Sequence, residues 1–424
     1  MSQFCLRLLA TMLLLAPACL VSALGVTSAE AAPAPDTWQL LSSVPDKLQN
    51  PVGALAVDPG NPLVVLAGAQ DGSIYRSADG GAHWVRDGKP AGPPVNALTF
   101  IQGKSGQVLA GTGDGIWGST DDGATWQQIR STRKDWVRSI AQSDGVFAAG
   151  TQRGVLLSSN VVTWFSAGLT KVDVSALTVV SGGPQPSLVA GGDGERNGQP
   201  LPLYVTENGG KSWTAVGGAV SGSTMVSSLL TLPPQPGATS PTIMLGTNGG
   251  LFKSTDGGAQ WVPDNGGGAL PPVDISSLAA ANGSGNAFYI ASDGGASSSG
   301  GLWVTRDSGQ TFESLASPQP AVTALAVVPG TNPQIYSASF RPIDHAVMFW
   351  GYSDVGGIPQ APTQAVPAPA KGTGAAAQTS STIDWVRALS HGPETPFLAF
   401  AAFAVLVLLA ALGAYARAAR RRLS

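Results

Sequence analysis

Carboxylates are the most numerous charged groups in this 424-residue sequence, 26 against 23 Lys and Arg. Two of them placed across a glycosidic bond could hydrolyse it, one as acid and one as base or nucleophile. Asp114 and Asp293 are candidates for such a pair. Nine of the 20 Asp residues between Ala32 and Gly357, however, directly precede Gly, Asp114 and Asp293 among them, where a turn-former is expected for backbone reasons alone. Glu is scarce: Glu195, Glu207 and Glu313 are the only ones between Ala32 and Gly357. His83, His345 and His391 are scattered, and no HExxH, no calcium loop of EF-hand spacing and no GxSxG in a strand-to-helix setting occurs. The glycines read as turn glycines, not as a phosphate cradle. No cofactor or metal is expected, apart from a possible structural cation near Asp193-Gly194-Glu195.

Cations give a second, more local pattern. Arg130, Arg133, Lys134 and Arg138 surround Trp136, and Arg153 should lie close by. From Ala32 to Gly357 there are 16 Lys and Arg against 23 Asp and Glu, so a positive cluster is not background. It could hold an acidic protein segment or a polyanionic glycan. The alternative is a solvated loop with Trp136 tucked into the fold. Nucleic acid is not expected as a partner of an acidic, exported domain.

The elements that must position these groups repeat. Seven segments open on one apolar pattern, at Val52 (VGAL), Val95 (VNAL), Val137 (VRSI), Val174 (VSAL), Val226 (VSSL), Ile275 (ISSL) and Val322 (VTAL). The spacing of 37 to 52 residues suits a four-stranded propeller blade. Tight Gly turns follow the second strand: Asp71-Gly72, Asp114-Gly115, Arg153-Gly154, Asn248-Gly249. Then comes S/T-x-D/N-x-G-x-x-W/F, at Ser77–Trp84, Ser119–Trp126, Thr206–Trp213, Ser254–Trp261 and Thr305–Phe312, with a decayed copy at Ser158–Trp164. In this pattern Asp79, Asp121, Asn208, Asp256 and Asp307 can accept bonds from turn amides, and Trp84, Trp126, Trp213, Trp261 and Phe312 can bury a large face. These ten residues therefore read as fold determinants and not as catalysts. No such motif follows Tyr352, but Asp36-Thr37-Trp38-Gln39-Leu40-Leu41 resembles the strand after the second copy, Ala124–Ile129. The expectation is an all-β, seven-bladed β-propeller in which this N-terminal strand closes the last blade and so removes open sheet edges.

The five motif copies resemble the Asp-box, or BNR, repeat. The resemblance implies a propeller of the kind found in sialidases, xyloglucanase-type glycosidases, the sortilin luminal domain and the photosystem II assembly factor. A sialidase-like site would need an arginine triad, a Tyr–Glu pair and an Asp. The nearest match to that family's Arg motif, Phe340-Arg341-Pro342-Ile343-Asp344, has the wrong order and sits in the last repeat. The resemblance also implies a ligand face formed by the turns between second and third strands and the connections between blades. Its candidates here are Asp71, Asp114, Arg153, Asp193, Glu195, Arg196, Asn248, Asp293, Arg341, Asp344 and His345. The photosystem assembly factor carries an arginine-rich patch on a propeller face, but no position here is matched to it individually.

The two ends suggest export and anchoring. Residues 1–31 read as a signal peptide, with Arg7, an apolar stretch from Leu8 to Val26 and a cleavage site near Ala31. Cys5 and Cys19 fall inside it, so the mature chain is expected to lack thiols; the residues before Cys19 do not form a lipobox. The propeller is assigned to 32–357 and a Pro/Ala-rich stalk to 358–395. Residues 396–416 are apolar enough to span a bilayer, and the tail 417–424 holds Arg417, Arg420, Arg421 and Arg422, which favour a cytoplasmic C-terminus. The reading is a membrane-anchored extracytoplasmic binding module for a protein or glycan. The competing reading is a cell-surface glycoside hydrolase.

Overall fold

In the computed structural model, the described residues are 35–41, 50–87, 92–194, 199–235, 237–281, 286–295, 300–341 and 343–356. The expected signal peptide, stalk, membrane span and basic tail lie outside them, as do Glu195 and Arg196.

Seven four-stranded antiparallel sheets form the fold, each built from strands consecutive in sequence except the last. Blade 2 is typical: Val95–Phe100, Val108–Thr112, Gly115–Ser119 and Gln127–Gln128, from the inner edge outward. Blade 7 takes Val322–Val328, Gln334–Arg341 and Ala346–Ser353 from the C-terminal side and Gln39–Leu40 from the N-terminal side. The structure is thus an all-β, seven-bladed propeller closed by its first strand.

Three sequence features build each blade. The first residue of every inner strand, Val or Ile, is at most 1% exposed. In five of the seven junctions it packs on a glycine of the preceding blade's second strand: Gly68, Gly111, Gly150, Gly191 and Gly246. A Cβ at Gly191 would lie 2.5 Å from Val226 Cγ2, so the glycine is what lets two blades approach. The second feature is a bulge. In all seven inner strands the register shifts between the first and third residues. A bulge re-aims the extra side chain, and the seven extra residues are Gly53, Asn96, Arg138, Ser175, Ser227, Ser276 and Thr323. All seven line a central channel of about 290 Å³. Several clasp the next blade: Asn96 Nδ2 donates to the Val137 carbonyl at 2.8 Å, and Ser276 Oγ to that of Val322 at 2.7 Å.

The third feature is the eight-residue tip turn between third and fourth strands. In all five full copies the leading Ser or Thr hydroxyl donates to the Asp or Asn side chain, as Ser119 does to Asp121 Oδ1 at 2.7 Å. The same hydroxyl accepts from the glycine amide four residues on, at 2.8–3.0 Å. That glycine holds φ between 82° and 96°, a left-handed conformation that requires it. The aromatic residue that ends the turn enters the core between its own blade and the preceding one. Each of the seven core clusters contains one: Trp38, Trp84, Trp126, Trp164, Trp213, Trp261 or Phe312.

Trp38 fills that place for blade 7. It is fully buried, donates from Nε1 to the Leu315 carbonyl at 2.7 Å, and lies 4.9 Å from the Tyr352 ring. Trp213 makes the equivalent bond to Ala167 at 2.8 Å. The turn that blade 7 lacks in sequence is replaced by two separate segments, around Asp36 and around Asp354. Asp36 N donates to the Ser353 carbonyl, and Asp36 Oδ1 accepts from Val355 N at 3.1 Å. Asp354 is almost fully buried and joins Tyr289 (2.6 Å) and Arg306 (2.5 Å), which also pairs with Glu313.

Candidate functional site

Hydrogen bonds sort the loops onto two faces. Tip turns bond the turns between first and second strands, as Asp122 N does to Gly106 and Gly209 N to Pro186. Turns between second and third strands bond the connections between blades, as Gly113 N does to Gly92 and Gly194 N to Thr224. The two ends of the described propeller, Pro35 and Gly356, both sit at the tip-turn face.

On the opposite, loop face the expected candidates are engaged within their own turns or by the neighbouring connections. Asp71 accepts from Ser73 N, Asn248 holds the Thr224 and Met225 amides, and Arg341 pairs with Asp344. Asp193 is exposed and bridges Met225 by its backbone. His345 stands edge-on to Phe340. Asp114, one half of the expected carboxylate pair, has both oxygens occupied, by Lys134 N at 3.0 Å and Gln128 Nε2 at 3.1 Å. Among the described residues no group of three or more His, Cys, Asp or Glu is placed to hold a metal.

The connection from blade 2 to blade 3 stands apart. It leaves Gln127–Gln128, makes a single 3-10 turn at Arg130–Thr132, and enters the inner strand at Val137. Lys134 takes φ = 72°, fixed by its amide bond to Asp114. From the other side Arg153 donates to the Lys134 carbonyl at 2.9 Å and to Asp135 at 2.8 Å. The loop is therefore pinned by both neighbouring turns, and Arg153 does join the cluster. Among the described residues the side chains of Arg130, Arg133 and Lys134 make no hydrogen bond or ion pair, and all three are exposed. Trp136 is 38% exposed and so is not tucked into the blade. Arg138 lies over its ring at 5.5 Å and pairs with Asp173 at 2.7 Å. Because Arg138 is a bulged residue of the channel ring, the cationic strip runs from the channel mouth outward through Trp136 to Arg130. The bulge was not visible in sequence, although the recurring V/I-x-A/S-L/I pattern carried it.

One carboxylate pair on this face was half missed. Asp274, which directly precedes the blade 6 inner strand, is held above the usual carboxyl range by burial and by the charge of Asp293. Asp293 Oδ1 accepts from Gly295 N at 3.0 Å. The Tyr289 phenol is also pushed up, by burial and by its bond to Asp354, which is the wrong direction for a phenolate nucleophile. It belongs to the ring closure on the tip-turn face.

No protein-family model and no curated protein matches this chain. Solved structures match its fold: YCF48 bound to D1 peptide (16% identity, 76% of this chain and 99% of that chain, TM-score 0.53). The GH74 xyloglucanase from Xanthomonas campestris matches with 15% identity, TM-score 0.52 and 75% of this chain, which spans 56% of the xyloglucanase. The RRP9 WD40 repeats match at 15% identity and TM-score 0.53, over 76% of this chain and 99% of that one. Likeness at these identities defines the class, a seven-bladed β-propeller, and nothing narrower.

Proposed function

We propose that this chain is an Asp-box-type propeller that binds an acidic protein segment on its loop face, along the strip Arg138, Trp136, Lys134, Arg133 and Arg130. The observation that carries the reading is three cations without a partner among the described residues, on a loop that Asp114 and Arg153 hold in place, beside a half-exposed Trp. Fixed cations lose little entropy on meeting carboxylates, and Trp supplies apolar area at low entropic cost. The similar YCF48 propeller was solved with a bound peptide, which is consistent with this use of the fold. Export by the N-terminal signal and tethering by the C-terminal apolar segment complete the proposal.

The test is binding of a labelled Asp-rich peptide, measured against salt. Replacing Arg130, Arg133 and Lys134 together by Ser should weaken binding about tenfold or more and flatten its salt dependence. Tm should be nearly unchanged, because none of the three side chains has a partner among the described residues. Unaltered binding, or a large fall in Tm, would sink the reading. The glycosidase reading retains one observation, the raised Asp274 beside Asp293, a pattern that suits a general acid. Glycan turnover abolished by Asp274→Asn would establish it.

A further inference from the structure

We infer that the seam between blades 2 and 3 is a docking groove for one Leu-sized apolar side chain of that acidic segment; the inference rests on the strip reading above. A groove of about 430 Å³ opens there, with Ile101, Leu109, Ile129, Val161 and Val162 among its walls. Its origin is the decayed tip turn. In other blades the positive-φ glycine of the turn presses onto the preceding blade: Gly123 against Leu66, Gly210 against Ala167, Gly258 against Val189 and Val205. The blade 3 copy is one residue shorter and has Val161 and Val162 where a glycine is needed. Val161 takes φ = 58°, a strained conformation for a β-branched residue, and Val162 is left 68% exposed. Blade 2 is consequently not covered as its counterparts are.

Charge selects the occupant. The groove's lining includes Ser119 and Thr120, the residues just before Asp121, and Arg130 and Ser131, where the cationic strip begins. An extended segment with an apolar residue ahead of its acidic run fits with the acids toward Arg130. Ser131 Oγ donates to the Val162 carbonyl at 3.2 Å and accepts from Trp164 N, so the two walls are tied and the groove is preformed.

Gly118 offers the probe. A Cβ there would lie 3.8 Å from Leu109 Cδ2 and 4.0 Å from Ile129 Cδ1, ordinary contacts inside the groove. Gly118→Val should therefore fill it without straining the strand. The assay is fluorescence anisotropy with full-length protein and two labelled peptides, one with a single Leu ahead of an Asp run and its Leu→Ala twin. Wild type should prefer the Leu peptide by about tenfold. Gly118→Val should erase the preference and leave the Ala peptide's affinity unchanged. If that variant loses Tm, Val162→Ser serves instead and should reduce the preference several-fold. Equal wild-type affinity for the two peptides overturns the groove while leaving the strip intact. If the Arg130, Arg133 and Lys134 triple variant binds both peptides as wild type does, the strip reading fails and the groove assignment goes with it.

Discussion

Trp38→Ala tests ring closure most directly. The side chain is fully buried among Tyr289, Leu302, Leu315 and Tyr352, and its truncation leaves the Leu315 carbonyl without its 2.7 Å donor. Removing a buried Trp costs about 3–5 kcal/mol, and the lost bond adds about 1 kcal/mol. Unfolding entropy near 2 cal/mol/K per residue over roughly 320 residues converts this to a fall of about 6–9 °C in Tm. Trp213→Ala is the control, since Trp213 makes the same kind of bond, to Ala167, within a covalently continuous blade. The two should differ in what opens. In Trp38→Ala the segment 35–41 keeps only its edge pairing, the Asp36 side-chain bonds and the Leu41 contact, so the amides of Asp36 and Leu41, bonded to Ser353 and Phe349, should lose hydrogen-exchange protection first. Trp213→Ala should leave those two amides protected. Protection unchanged in Trp38→Ala, or a Tm shift under about 2 °C, would refute the view that this strand locks the ring.

Other outcomes follow from the same geometry. The tip-turn carboxylates respond to acid. Partial burial pushes Asp79, Asp256 and Asp307 up, but turn hydrogen bonds outweigh it and hold each below the usual range; at Asp121 the Thr125 hydroxyl bond is the largest cause of lowering. A depressed folded pKa contributes stability above the unfolded value, about 3.9, that is lost as pH falls through the folded one, so Tm should drop steeply below about pH 4 and less so in Asp121→Asn. Asp274 has the opposite sign, so Asp274→Asn should raise Tm at neutral pH and lose that advantage in acid, read by thermal melts at both pH values. Gly191→Ala, whose Cβ would meet Val226 at 2.5 Å, should cost about 1–3 kcal/mol in denaturant titration, whereas Gly118→Ala should cost little.

The architecture was legible because each blade must solve the same packing problem with the same residues. The Val or Ile at each start, the turn motif and the Trp38 match together gave blade count and closure. What stayed hidden were features that depend on register. The bulge at Arg138 is a property of strand pairing, so composition could not show that this cation lines the channel. Asp274 carried no turn signature, and only the fold brings it beside Asp293. The Ser and Thr that lead the tip turns showed in the motif, but their dual donor and acceptor role did not. Asp114 was read as a possible acid because an Asp before Gly gives no hint that its two oxygens will hold the next connection in place.

Blade 3 concentrates the departures from this shared solution. It is the shortest repeat, its tip turn has lost the glycine, the β-branched Val161 takes a positive φ, and the connection entering it carries the cations. A repeat protein under selection for stability alone would restore the glycine, since the full turn covers the seam and relieves the strain at once. Local rules are broken where another requirement outweighs them. Here the breaks adjoin: Arg130 both lines the groove and begins the strip, and the strip ends at Arg138 in the channel ring. Random decay of one repeat would not place an uncovered apolar seam, a rigid cationic loop and an exposed Trp in one continuous path. Restoring a full turn in blade 3, by replacing 158–164 with the sequence of Ser119–Trp126, should therefore raise Tm and abolish the Leu preference together. A restored turn that raised Tm but left the preference intact would show that the irregularity is decay and not function.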